Sequence, residues 1–231
     1  MNSTKKTARI AGALYLLSGV TAGVPLIYVP STLIVDGNAA ATANNILASE
    51  KLFRVAMVSE LIGGILLIFL VRLLYRLLNG VDKTQASLMV TLVLISVPIT
   101  FLNVLNEIAA LTLMRGAGFL SVFAKPQRDA LAMLFLGFHG DGVSLANIFW
   151  GLWLFPFGVL VMRSGFFPRI LGVLLIINCF ALVVVSLTSL LLPSYEDLVN
   201  RFAIIPELGE LWMMAWLLIK GAKDQPLVAP A

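Results

Sequence analysis

Six long apolar runs determine what this chain can fold into. Each run has the length of roughly 20 mostly apolar residues that an α-helix needs to cross the hydrocarbon core of a bilayer. None has the alternating pattern of a membrane β-strand, so the backbone groups must be satisfied within helices. We therefore predict an all-α, polytopic integral membrane protein, a bundle of six transmembrane helices that forms one domain over 1–231. The predicted helices cover residues 9–30, 52–78, 86–114, 130–162, 168–192 and 203–220.

The composition favours lipid as the solvent of this chain. Of the 231 residues, 60% are hydrophobic and only 12% are charged, whereas a soluble domain carries about 25% charged residues. The basic residues stand in ones and twos at the ends of apolar runs, so the net charge of +4 indicates membrane anchoring. We expect membrane lipids as partners and no nucleic acid. The single cysteine, Cys179, excludes an intrachain disulfide and a cysteine-based zinc site.

The distribution of basic residues predicts the orientation of the helices. If the N-terminus is cytoplasmic, ten of the 16 Lys and Arg residues fall on inner segments, together with only two acids, Asp82 and Asp224. Cytoplasmic loops of membrane proteins carry an excess of Lys and Arg. Both termini are therefore expected in the cytoplasm. The ten basic residues are Lys5, Lys6, Arg9, Arg72, Arg76, Lys83, Arg163, Arg169, Lys220 and Lys223.

The turn between the fourth and fifth predicted helices has a clear local signature. Arg163-Ser164-Gly165 ends one helix, and Gly165 suits the left-handed conformation of a C-cap. Pro168 stands where the first turn of the next helix needs no amide donor. Arg163 and Arg169 flank this turn, and we interpret both as membrane anchors that reach lipid phosphates.

Four stretches together resemble a known family over nearly the whole chain. They are RIAGALYLLSGVTAG at 9–23, DGNAAATANNILASEKLFR at 36–54, FGVLVMRSGFFPRILGVLLI at 157–176 and GELWMMAWLLIKG at 209–221. The most specific part is RSGFFPRILG. They resemble a bacterial multi-pass membrane family that is catalogued as domain of unknown function 4386. The resemblance implies a six-helix protein of the bacterial inner membrane, and it supplies no catalytic residues.

Two further features concern the helices themselves. Asp36 or Asn38 would cap a short Ala-rich helix in the long segment after the first span.

Pro98 and Pro156 lie within the third and fourth predicted helices. Prolines usually kink a membrane helix at such positions, and neighbouring groups satisfy the freed carbonyls.

Polar side chains within the apolar runs are the candidates for function, because ionisable groups inside a membrane are costly and usually face the bundle interior. The only histidine, His139, lies two residues before Asp141 in FLGFHGDGVSLANIFWGLW at 135–153. Sorted by depth, nearly all such residues fall in the outer half of the predicted bundle. The candidate ligand-binding residues are Glu60, Asn103, Asn106, Glu107, His139, Asp141, Asn147, Glu207 and Glu210.

This sorting by depth predicts an acidic, polar cavity that opens outward and binds or transports a small cationic or amphipathic molecule. One alternative is an intramembrane hydrolase that uses His139 with carboxylates. The other is a purely structural network of hydrogen bonds between helices. A single histidine gives little support to a zinc hydrolase, and no GxSxG, HExxH or P-loop motif is present. We therefore predict no catalytic residues, no metal and no cofactor; the oligomeric state is open.

Overall fold

A computed structural model describes residues 3–223, and these residues form an all-α membrane protein without β-strands. A π-helical turn over Val24–Tyr28 and two short 3-10 turns complete the helical elements. The α-helices are α1 (Ser3–Gly23), α2 (Val29–Leu33), α3 (Ala39–Ala48), α4 (Glu50–Leu78), α5 (Lys83–Arg115), α6 (Lys125–Leu152), α7 (Leu154–Ser164), α8 (Arg169–Leu191) and α9 (Glu196–Ile219).

Six helical segments of the described residues are long and apolar enough to span a membrane, which confirms the predicted fold class. Their surfaces carry large apolar side chains, such as Ile27 at 71% exposure and Leu102 at 65%. Contact with lipid is favourable for such apolar side chains, whereas contact with water is unfavourable. The segments are Thr4–Leu33, Glu50–Leu78, Lys83–Arg115, Lys125–Ser164, Arg169–Leu191 and Leu198–Ile219.

The chain divides into two compact units. The first unit contains the described residues up to Leu17, Leu66–Val97, and those from Ser144 onward; the second contains Ser18–Ile65 and Pro98–Val143. Each unit has an apolar core. Large side chains such as Leu70, Phe157 and Leu175 fill the core of the first unit, whereas Ile46, Phe53 and Leu111 fill that of the second.

Helix α3 confirms the prediction of a short Ala-rich helix after the first span. Its N-cap is Asn38, whose Oδ1 accepts a hydrogen bond from the backbone N–H of Ala41 at 2.9 Å. The hydroxyl of the fully buried Thr42 accepts a bond from the backbone N–H of Val35 at 2.9 Å. This pairing holds α3 against the chain that leads into it.

The helical course continues at both prolines in the predicted spans. Helix α5 continues through Pro98. In the fourth predicted span, α6 and α7 meet at Trp153, which keeps helical dihedral angles. The backbone N–H of Trp153 donates to Phe149, and its carbonyl oxygen accepts from Phe157, so the helical course continues. Pro156 has no N–H to donate to the carbonyl oxygen of Leu152.

The turn between α7 and α8 forms as its residues predict. Gly165 caps α7 in the left-handed conformation with φ of 67°, and Pro168 is the N-cap of α8. The hydroxyl of Ser164 accepts a hydrogen bond from the backbone N–H of Phe166 at 3.1 Å. The sequence therefore fixes both the end of one membrane span and the start of the next.

Helix ends within the first unit contact each other through polar groups. Arg9 donates a hydrogen bond from Nη2 to the carbonyl oxygen of Ile219 at 2.8 Å. The backbone N–H of Lys223 donates to the carbonyl oxygen of Phe166 at 3.3 Å. The start of α1 thus lies beside the end of α9, and the segment after α9 lies beside the α7–α8 turn.

An ion pair extends this set of contacts to the turn between α4 and α5. Arg163 donates from Nη1 to Asp82 Oδ2 at 3.0 Å. The side chain of Arg163 is 62% exposed, and Arg169 is exposed as well. Asp224, the second acid assigned to the inner side, lies outside the described residues.

Candidate functional site

Three helices of the second unit each place one ionisable side chain in a common cluster. Glu60 lies on α4, Glu107 on α5 and His139 on α6. The Nε2 atom of His139 lies 3.2 Å from Oε2 of Glu60 and 4.0 Å from Oε2 of Glu107. One ligand atom from each residue lies within 4.8 Å of the other two. We call these three residues the acidic triad.

The acidic triad is buried and incompletely hydrogen-bonded. Glu60 is 5% exposed and Glu107 is 3% exposed, and the His139 side chain is 13% exposed. Oε1 of Glu60 and Oε2 of Glu107 are buried without a hydrogen-bond partner. Within the described part of the chain, no Lys or Arg side chain forms an ion pair with either carboxylate. These carboxylate oxygens are therefore unsatisfied acceptors in a region of low dielectric.

Two amide side chains on α5 position the acidic triad. Asn103 donates a hydrogen bond from Nδ2 to the carbonyl oxygen of His139 at 2.8 Å. Asn106 donates from Nδ2 to Oδ1 of Asn103 at 3.0 Å. Because Asn103 and Glu107 are four residues apart, they lie on one face of α5. The amide pair therefore holds the backbone at His139 close to the carboxylate of Glu107.

A glycine on α6 makes this contact possible. A Cβ atom on Gly142 would lie 2.1 Å from Oδ1 of Asn103, far inside any van der Waals contact. Gly142 also lies three residues after His139, so both residues share one face of α6. The absence of a side chain at Gly142 therefore allows Asn103 to reach the backbone of α6.

The structure brings together five of the nine predicted ligand-binding residues. Asp141 is exposed, and Asn147 is partly buried in the first unit. The side chain of Glu207 lies outside the described residues, although its backbone belongs to α9. The five that meet are Glu60, Asn103, Asn106, Glu107 and His139.

Glu210 belongs to a separate polar cluster within the first unit. Tyr15 donates its hydroxyl hydrogen to Oε1 of Glu210, and Asn178 donates from Nδ2 to Oε2 at 3.0 Å. Tyr15 is missing from the predicted site. Its position inside an apolar run was a usable signal, because the hydroxyl of a buried tyrosine usually has a hydrogen-bond partner. Both oxygens of Glu210 are thus satisfied by neutral donors, unlike those of the acidic triad.

The acidic triad offers two carboxylates and one imidazole to a common point. This donor set suits a cation that replaces the missing hydrogen bonds and offsets the charge of the carboxylates. Both nitrogen and oxygen ligands occur at protein metal sites. The geometry thus fits cation binding, whereas both carboxylate oxygens of Glu210 in the second cluster already accept hydrogen bonds from Tyr15 and Asn178.

Comparisons with known proteins identify a family but no described relative. A search of curated proteins finds no match, and a search of solved structures finds none either. A family model described as "Domain of unknown function (DUF4386)" matches residues 10–221. This match covers most of the chain and includes all five residues that meet around the acidic triad. The chain therefore belongs to the DUF4386 family of membrane proteins.

Proposed function

We propose that this protein resides in a bacterial inner membrane with both termini in the cytoplasm. The charge distribution supports this orientation, because Lys and Arg collect on the predicted inner segments. The contacts of the first unit support independently that the two ends of the described chain lie on the same side of the membrane. They join the start of α1, the α4–α5 turn, the α7–α8 turn and the segment after α9, and a topology with six spans puts these four segments on one side.

Two glycines provide a matched pair for testing the orientation. Gly80 lies in the α4–α5 turn and Gly118 in the α5–α6 connection; both are exposed, and a Cβ on either would meet no atom within 4 Å. After Cys179, the only cysteine, is replaced by alanine, each glycine is changed to cysteine. A membrane-impermeant maleimide on intact cells is expected to label Gly118→Cys and to spare Gly80→Cys until the cells are lysed. The reverse pattern would contradict the proposed orientation.

We further propose that the protein binds a small cation at the acidic triad and that this binding site serves its transport. The observation that carries this proposal is the convergence of Glu60, Glu107 and His139, with two buried carboxylate oxygens that lack partners. Two carboxylates that share one imidazole, with no Lys or Arg partner among the described residues, are costly to bury in lipid. A bound cation lowers this cost, because it interacts with both carboxylates and satisfies their free acceptors.

The two alternatives predict different behaviour of the same residues. In a purely structural network, the triad would need no ligand, and cations would leave the stability of the folded protein unchanged. An intramembrane hydrolase would add a reaction to binding at His139. Cation binding is favoured because the unsatisfied oxygens lie within the triad itself, whereas a structural network normally satisfies its buried acceptors.

The cation-binding proposal is tested by the thermal stability of purified protein in detergent. A cation that binds only the folded state at 100 times its Kd stabilises that state by about 2.7 kcal/mol. The neutral variants Glu60→Gln and Glu107→Gln are expected to lose most of the cation-dependent rise in Tm. Asp141→Asn removes an exposed charge from the same helix as His139, and Glu210→Gln removes a satisfied carboxylate. Both should keep the rise.

Each outcome of this experiment is informative. A rise in Tm that survives in Glu60→Gln and Glu107→Gln would place cation binding elsewhere and contradict the proposal. The absence of any rise for inorganic and organic cations in the parent protein would favour the structural network instead.

A further inference from the structure

We infer that the cation held by the acidic triad is a divalent ion of a first-row transition metal, such as Zn²⁺, Mn²⁺, Fe²⁺ or Co²⁺. This inference rests on the proposed cation binding and specifies its ligand. It also departs from the expectation of no metal drawn from the sequence. The ligands are Nε2 of His139 and one carboxylate oxygen each from Glu60 and Glu107.

The distance between His139 and Glu60 fits the coordination of a metal ion better than contact with an ammonium group. Ligand atoms about 2.1 Å from one ion lie about 3.0–3.4 Å apart when they are neighbours in octahedral or tetrahedral coordination. Acceptors around an ammonium nitrogen, at about 2.8 Å each, would lie about 4.6 Å apart. Nε2 of His139 lies 3.2 Å from the Glu60 oxygen and 4.0 Å from the Glu107 oxygen. The second distance lies between the two expected values, and the three ligand atoms lie within 4.8 Å of one another, so shifts of up to about 1.5 Å would close this arrangement around a metal ion.

The chemistry of the donors selects the class of metal. Alkali and alkaline-earth ions prefer all-oxygen sites, whereas an imidazole nitrogen favours Zn²⁺ and other transition-metal ions. A single imidazole with two carboxylates gives a mixed nitrogen and oxygen set with three protein ligands. Three protein ligands leave coordination positions open for water or for an exchanging ligand. A site of this kind suits an ion that enters and leaves better than one that is permanently enclosed.

Burial provides the second, independent observation. Glu107 is 3% exposed, and its Oε2 has no hydrogen-bond partner. The Nε2 atom of His139 lies 4.0 Å away, which is too far for a hydrogen bond. Oε1 of Glu60 is also buried and unpartnered. A metal ion at the point shared with His139 would supply the partner that Oε2 of Glu107 lacks, and the two carboxylates would balance its double positive charge. The bonds from Asn103 to His139 and from Asn106 to Asn103 act as the outer support that metal ligands usually have.

Metal titration of the purified full-length chain, without a histidine tag and after treatment with a chelator, tests this inference. Co²⁺ is the probe, because its visible spectrum reports on the coordinating atoms, and Zn²⁺ serves as the competitor. Mg²⁺, Ca²⁺ and tetramethylammonium are the comparison cations. We expect one Co²⁺ per chain, displaced by Zn²⁺ and unaffected by the comparison cations. His139→Gln and Glu60→Gln are each expected to lower the affinity for Co²⁺ by at least about tenfold.

The outcomes separate this inference from the proposed function. If Mg²⁺, Ca²⁺ or tetramethylammonium raises Tm through Glu60 and Glu107 while Co²⁺ and Zn²⁺ do not bind, the metal assignment fails and cation binding stands. If no cation affects the parent protein, both proposals fail. Co²⁺ binding that persists unchanged in His139→Gln and Glu60→Gln would show a site elsewhere and overturn the inference. Asp141→Asn is the control for a surface charge, and its affinity should equal that of the parent.

Discussion

Replacing Gly172 with leucine is expected to abolish most of the folded protein. Helices α7 and α8 meet backbone to backbone at this point: a Cβ on Gly172 would lie 2.5 Å from the carbonyl oxygen of Gly158, and a Cβ on Gly158 would lie 2.6 Å from that of Gly172. Carbon and oxygen atoms in contact are normally about 3.3–3.6 Å apart. A side chain therefore forces the two helices apart, and backbone atoms cannot rotate away from it.

The expected cost exceeds that of ordinary overpacking. Extra methylene groups in a packed core destabilise a protein by about 1–3 kcal/mol, and Gly172→Leu adds a whole side chain against backbone. The yield of monodisperse protein in size-exclusion chromatography and its Tm in detergent measure this effect. Gly137→Leu is the matched control, because Gly137 is an exposed helical glycine with no atom within 4 Å of its Cβ. Equal yields and equal Tm values for the two variants would contradict the close packing of α7 and α8.

Replacing Gly142 with alanine is expected to weaken cation binding about tenfold or more while most of the fold is retained. The new Cβ would lie 2.1 Å from Oδ1 of Asn103, so Asn103 must move and release the carbonyl oxygen of His139. His139 then shifts relative to Glu107. The gain in helix propensity, up to about 1 kcal/mol, offsets part of the lost hydrogen bond, about 0.5–1.5 kcal/mol.

A double-mutant cycle identifies Asn103 as the cause. In the Asn103→Ala background the obstructing oxygen is gone, so Gly142→Ala should cost nothing further in stability or in cation affinity. Gly140→Ala is the control on the same helix, since its Cβ meets no atom within 4 Å. Both Tm and cation affinity are measured for all variants. Additive effects of Gly142→Ala and Asn103→Ala would contradict the contact, because independent sites show additive effects.

The sequence predicts the fold class well, because apolar length is a direct consequence of bilayer thickness. It also predicts local ends that depend on one residue, such as the left-handed Gly165; for the N-cap of α3 it leaves Asp36 and Asn38 open, and the cap is Asn38. Helix ends beyond the apolar runs are less predictable. Helix α4 begins at Glu50 and α5 at Lys83, because polar residues continue a helix into the interface, where hydropathy gives no signal.

The site is only partly predictable, because the depth of a residue along a membrane span does not determine which neighbouring helix its side chain faces. Glu60, Glu107 and His139 are all recognisable as costly residues inside spans, but their convergence depends on how α4, α5 and α6 rotate and pack. Glu210 has the same sequence signature and binds Tyr15 and Asn178 instead. The role of Gly142 follows from one contact distance, whereas a Cβ on Gly137 or Gly140 of the same helix would meet no atom within 4 Å.

If Glu60, Glu107 and His139 hold one divalent transition-metal ion, a crystal of the protein soaked with Co²⁺ must show that ion between the three side chains. Anomalous diffraction at the cobalt edge locates the ion independently of the protein coordinates. We expect one strong peak about 2.0–2.2 Å from Nε2 of His139 and from one oxygen of each glutamate. A map with no peak between these side chains, or side chains that point to separate surfaces, would contradict it.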